Sequence, residues 1–208
     1  MEIKPVIKGR VHIDEKIIHV KKRLCYDLNA IDSKTKYILA HSFTDERTLE
    51  NCIRFLQQIK TTSYKQILEA YHNEKHKPKE KRNLITFVCD GFENYRNAWK
   101  KLFIYTTKLT FGIPIKCRKH GLKHNNNPIE RYNQDIKEQI ITKRHFVSFE
   151  RAEHFLNLRR IIKNFINPHQ GLKGKTPAEV AEINLYLGRQ RLLNLIKQRA
   201  EKTHHSLR

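Results

Sequence analysis

Residues 84–90, LITFVCD, form a continuous apolar run that ends in an acid. A strand that is apolar on both faces belongs inside a sheet, with helices covering each side. The run therefore suggests a buried central strand. It also sets an aspartate, Asp90, at the carboxyl end of a buried strand, where open α/β sheets gather their ligands.

The preceding residues supply the rest of a sheet. Residues 11–20 alternate, with Val11, Ile13 and Ile17 on one face and His12, Asp14 and Lys16 on the other, which is strand periodicity. LCYDLNAI (24–31) and KYILAHSF (36–43) read as two more strands, joined by the turn residues DSKT, and Asp32 is a hairpin-turn residue. Three strands with short connections predict an antiparallel meander. A helix capped at Thr44 or Thr48 is expected to run to about Lys60, with Leu49, Ile53, Leu56 and Ile59 on its apolar side. Residues 61–83 read as an exposed basic loop, with a helical extension around YKQILEAY. ENYRNAWKKLF (93–103) is an amphipathic helix, with Trp99 in the core, and IPIKCRKH (113–120) is the expected fifth strand. A long helix begins at Asn127, an apolar-periodic segment covers 149–166, and a last helical stretch covers 177–200. The resulting order, β-β-β-α-β-α-β-α, predicts an α/β fold with a mixed sheet and helices on both faces. The expected division is an N-terminal extension at 1–10, a main domain at 11–166 and a C-terminal helical segment with a tail at 167–208.

Charge narrows the class of partner. Forty-two Lys and Arg against 21 Asp and Glu leave a formal charge of +21 on 208 residues. Nucleic acid is the usual partner of such a polycation. No run approaches the ~18 apolar residues of a membrane span, so no membrane partner is expected. Cys25, Cys52, Cys89 and Cys117 are far apart and lack a CxxC pair, which argues against a metal knot or disulfide framework and for a reduced, intracellular setting.

Three carboxylates are candidates for chemistry: Asp14 in mid-strand, Asp90 at a strand end and Glu130 in the first turn of the long helix. Each also has a plain structural reading. Asp14 fits a solvated strand face, Asp90 fits a turn in the dipeptide DG, and Glu130 fits a capping box with Asn127 and Pro128. If the first and fourth strands are neighbours, Asp14 and Asp90 lie side by side, and a helix packed on the sheet brings Glu130 to them. Clustered carboxylates repel each other, and hard divalent cations such as Mg²⁺ relieve that repulsion. Lys137 is two turns beyond Glu130 on the same helix face and suits a phosphate.

HIDEKIIHV, FVCDGFENYRNAW, NNNPIERYNQDIKEQ and NPHQGLKGKTPAEVA occur in the order found in insertion-sequence transposases with a DDE catalytic domain. The sequence resembles insertion-sequence family six and its relatives in the integrase superfamily, over about residues 10–185. The resemblance implies a ribonuclease-H-like fold, with Asp14, Asp90 and Glu130 as catalytic metal ligands for two Mg²⁺ or Mn²⁺ ions, and Lys137 as the basic residue after the glutamate. It implies cleavage at element ends and strand transfer into target DNA, by a homodimer or higher oligomer in the prokaryotic cytoplasm. A nuclease of the same fold without strand transfer, and an inactive DNA-binding remnant regulating a full-length transposase, are the alternatives. Thirteen residues precede Asp14, where the family usually carries a helix-turn-helix; a truncated gene, a split product or a catalytic-domain relic is therefore expected. The 39 residues between Asp90 and Glu130 exceed the expected spacing, with the excess assigned to a loop at 103–112.

Arg131, Lys143 and Arg144 flank the long helix as candidate DNA contacts. His120 and His124 read as DNA-facing or structural, His12 as bordering the site, and His169 and Lys173 as reaching it through the C-terminal segment. Glu15 points away from Asp14 in a regular strand and is left out of the catalytic set.

Overall fold

The computed structural model describes residues 4–112, 127–142 and 146–206. Five strands form one mixed sheet in the order β3-β2-β1-β4-β5. Strand β1 (Val11–Val20) pairs antiparallel with β2 (Arg23–Asp32), which pairs antiparallel with β3 (Ile38–Thr44). Strands β4 (Thr86–Cys89) and β5 (Lys108–Phe111) continue the sheet in parallel from β1. The meander and the buried fourth strand are as the sequence predicts.

The two faces of the sheet carry separate cores. Val11, Ile13, Leu28, Ala30 and Phe87 face helix α1 (Leu49–Glu74) and helix α2 (Glu93–Phe103). Ile18, Val20, Ile31 and Ile38 face helix α3 (Asn127–Thr142) and helix α4 (Phe149–Ile161). Strand alternation sorts these residues: odd positions of β1 meet α1 and α2, and even positions meet α3 and α4. Ile17 belongs to the first set but is 49% exposed. The reason is that β4 pairs with β1 only at Val11 and His12, so the sheet divides beyond that point and β1 runs on with β2 alone.

Helix α1 corrects the expected end near Lys60. Its cap is Thr48, whose side chain accepts from the Asn51 N–H, and its buried stripe runs Cys52, Phe55, Leu56, Ile59, Ser63, Ile67. Thr61 and Thr62 weaken the sequence signal, because their hydroxyls bond back to the Gln57 and Gln58 carbonyls, an arrangement compatible with a helix but not favouring one. The segment 103–112, expected as a loop, contains β5; the predicted strand at 113–120 lies outside the described residues.

The C-terminal segment also differs from one continuous helix. Thr176 and Glu179 form a capping box with Pro177 at the first helical position, so the TPAE motif starts the short helix α5 (Pro177–Val180). Left-handed backbone at Glu182, Tyr186 and Gly188 ends it before helix α6 (Arg191–Ser206). Ala178, Ala181 and Ile183 join the core beneath α1 and α2. A π-helical turn, Ile162–Ile166, follows α4. Its Asn164 side chain pairs with both backbone groups of Ile38, at 2.9 and 3.1 Å. Gln58 of α1 does the same to His41, at 3.2 and 3.0 Å. Two carboxamides thus occupy the outer edge of β3. No disulfide links the described cysteines, and Cys25, Cys52 and Cys89 are buried. Among the described residues, no helix is long and apolar enough to cross a membrane.

Candidate active site

Asp14 and Asp90 meet where the sheet divides. His12 pairs with Val88, and each aspartate is two residues further along its strand direction. Asp14 stays in the strand and is half-buried, whereas Asp90 has left the ladder and is exposed. Gly91, at φ +98°, turns the chain at once, a conformation that a side chain would strain. Asp90 then accepts the Phe92 N–H at 3.0 Å. The turn role weighed for the DG dipeptide is therefore present, and it aims the carboxylate back at β1.

One oxygen each from Asp14, Glu15 and Asp90 lies within 4.8 Å of the others. Burial, then the charges of Glu15 and Asp90, push the Asp14 carboxyl up to about 7; Glu130 adds a smaller contribution of the same sign. Glu130 is half-buried in the first turn of α3 and stands outside the 4.8 Å group, acting on Asp14 through its charge. Asn133, one turn on, is buried and donates from Nδ2 to Asp14 Oδ2 at 2.9 Å. Lys137 is exposed on the same helix face.

Glu15 corrects the expectation that it would point away. Its side chain does leave on the opposite face, toward α2, where Tyr95 Oη donates to it at 3.0 Å and Arg47 pairs with it. Because the sheet opens there, one oxygen still comes close to both aspartates. Burial raises the Glu15 carboxyl above its usual range, against the opposing pull of Arg47 and of the Tyr95 hydroxyl. The Arg47 guanidinium also covers the rings of Tyr26 and Phe92, at 4.8 and 4.4 Å from their centres. Arg47 thus ties Glu15 to the loop that follows Asp90.

A further set of polar residues shares the face of Asp14. Asn29 is the cross-strand partner of Asp14; it donates to Asp27 Oδ2 at 2.9 Å, and Asp27 contacts His41 Nε2 at 2.5 Å. All three are buried. Their placement follows from strand parity, but nothing in LCYDLNAI distinguishes this network from a wet strand face.

Of the other candidates, His12 is buried beside Val88, near the end of β4, and Arg131 is exposed on α3. His169 lies against Arg131, Asp135 and Lys163 at the flank of α3, away from the carboxylates. Lys143, Arg144, His120 and His124 lie outside the described residues.

A five-stranded mixed sheet covered on both faces, with one acid inside the first strand and another just past the end of its parallel neighbour, is a ribonuclease-H-like fold. Residues 8–169 match the family model of a DDE domain of insertion-sequence transposases. The chain belongs to this DDE-domain family. Among solved structures, it is similar to a chain of the simian T-cell lymphotropic virus intasome in complex with PP2A regulatory subunit B56 gamma. That match has 13% identity and a TM-score of 0.52, and it covers 89% of this chain and 60% of that one. This chain thus spans less than two thirds of the length of that relative. The HTLV-2 integrase catalytic core domain in complex with magnesium, in its trimeric form, matches at 12% identity and a TM-score of 0.49, over 86% of this chain and 99% of that one. No curated protein matches the chain.

Proposed function

We propose that the chain is a metal-dependent DNA transposase domain that cuts at the ends of a mobile element and joins the freed 3′-hydroxyl to target DNA. The observation that carries this reading is the close approach of Asp14 and Asp90 from adjacent parallel strands, with Glu130 acting on the same carboxyl from α3.

The donor set suits a hard divalent ion. It consists of carboxylate oxygens, and their mutual repulsion disfavours the ionised cluster in the absence of a cation. Asp14, Asp90 and Glu130 would hold Mg²⁺ or Mn²⁺, in two sites, and bound ions of this kind activate an attacking oxygen and stabilise a leaving one. Asp14 would supply a ligand at the strand junction, and its orientation is held by the Asn133 amide. Asp90 is aimed by its own turn. Glu130 approaches from a separate element, so the separation of α3 from β1 tunes the site. Lys137, exposed two turns along, contacts a phosphate of the reacting strand. Glu15, neutralised by Arg47, remains a supporting group. The positive charge of the chain draws in DNA, and pairing of two element ends calls for a dimer or larger assembly.

The test uses labelled element-end DNA with a target plasmid and Mg²⁺ or Mn²⁺. Joined product is the expected outcome. Cut product alone supports a nuclease without strand transfer. DNA binding with no cleavage under either ion supports a regulatory remnant.

A further inference from the structure

A second polar cleft, of about 310 Å³, lies on the other flank of α3, between the β2–β3 turn and the turn that carries His169. Lys36, Arg131, Lys163 and His169 line it, together with the single acid Asp135 and with Tyr132. Asp135 is already paired with Lys163 at 2.9 Å. The buried carboxylate near Lys36, Asp32, is occupied by the Lys8 and Lys34 N–H groups and the Thr35 hydroxyl. Three fixed cations therefore surround a space that has one lining acid.

One buried polar atom of a lining residue, His169 Nδ1, makes no hydrogen bond. Such an atom is costly to leave unsatisfied. The surrounding backbone is shaped to present these groups. Lys36 sits at φ +61°, where a glycine or asparagine would be less strained. Gly171 gives the His169 ring its room, since a Cβ there would stand 3.2 Å from Cε1 and 3.3 Å from Nδ1. Three backbone bonds, His169 N–H to Lys175 and Leu172 and Gly174 N–H to His169, close the turn around it.

We propose that this cleft is a phosphate-binding pocket that takes a backbone phosphate of the polynucleotide strand. The choice of a polynucleotide as the source rests on the transposase reading above; the anion chemistry of the pocket does not. Arg131 and Asp135 follow Glu130 on the same helix, so a strand crossing α3 from the carboxylates meets this pocket next. The groups already sense each other's charge. Burial, then Lys163, Lys36 and Arg131, hold the His169 imidazole below its usual range, with Asp135 opposing them. A bound phosphate would reverse that direction.

The experiment measures binding of a short DNA duplex in metal-free buffer across a salt series, for wild type, the pair Lys36→Gln with Arg131→Gln, Gly171→Ala, and a charge-matched pair, Lys79→Gln with Lys81→Gln. Loss of one phosphate contact is expected to weaken binding about 5–10-fold and to lower the salt slope by about 0.9 in the pocket pair. Gly171→Ala, which changes no charge, is expected to weaken binding in the same direction. The His169 imidazole, followed by NMR, should shift on adding duplex to wild type and not to the pocket pair, while Mn²⁺ binding at the carboxylates stays within twofold for all variants. Pocket variants that match the charge-matched pair, or a His169 signal indifferent to duplex, overturn the proposal. A His169 response to inorganic phosphate with unchanged DNA binding overturns the polynucleotide source. Wild-type protein that binds no duplex overturns both this assignment and the transposase reading, whereas DNA binding with unaffected variants overturns the pocket alone.

Discussion

The Asn133 amide donates to Asp14 Oδ2 across 2.9 Å, and this bond joins helix α3 to strand β1 at the acidic site. Glu130 precedes Asn133 by one helical turn, so the same bond sets the distance of Glu130 from the aspartates. Asn133→Ala is expected to lower cleavage about 10–100-fold, the usual scale for groups that orient metal ligands. The expected change in stability is smaller, about 1 kcal/mol. Cleavage rates at saturating Mn²⁺, compared with urea unfolding, separate the two effects.

Asp14→Asn should abolish metal-dependent cleavage and stabilise the metal-free fold. It removes a half-buried charge that three other carboxylates repel, while keeping an oxygen for Asn133. A gain of about 1–3 kcal/mol is expected near pH 8, after allowing for solvent screening. Thermal unfolding in chelator reads it; an unchanged or lower midpoint would count against a strained cluster.

Stability should depend on pH and on metal together. The Asp14 carboxyl sits at about 7 in the fold and near 3.8 in the open chain, so between these values the native state holds the extra proton. Its contribution is complete below about 4 and is lost as pH rises through about 7. Divalent ions bind the ionised form, so Mn²⁺ should raise the melting midpoint more at pH 8 than at pH 5. Calorimetry with and without Mn²⁺ at both pH values measures the difference.

Arg47→Ala should destabilise the protein by about 1–3 kcal/mol, because Glu15 is left half-buried without its cation. Arg47→Lys should recover only part of this, since an ammonium does not reproduce the planar contact with Tyr26 and Phe92. Adding Glu15→Gln to Arg47→Ala should restore most of the loss. Urea unfolding of the four proteins tests the coupling; additive losses would show that the two residues act separately.

Much of the sheet and part of the acidic site are legible from residue order. Asp14 stands out because a carboxylate interrupts an alternating strand, and Asp90 because it ends a doubly apolar run. Asn133 is recoverable from its i+3 spacing to Glu130. Glu15 and Arg47 are not. Alternation sends Glu15 to the other face, and only the division of the sheet beyond His12 brings its oxygen back toward Asp14. Arg47 lies in the polar stretch TDERTLE, where periodicity carries no information and its partners are tertiary. Strand β5 was hidden because KLTF is short and half polar, and its identity as a strand comes from pairing with β4.

Asn164 and Gln58 bear on how copies of the chain can assemble. By filling backbone positions at Ile38 and His41, they blunt β3 as a template for strand addition, the ordinary hazard of an open sheet border. Oligomers that form on DNA are therefore steered toward contacts between side chains and shared nucleic acid, and away from a sheet continuing from one subunit into the next at β3. Under the multimeric action proposed above, copies brought together on DNA are thereby kept from joining as fibrils through that border.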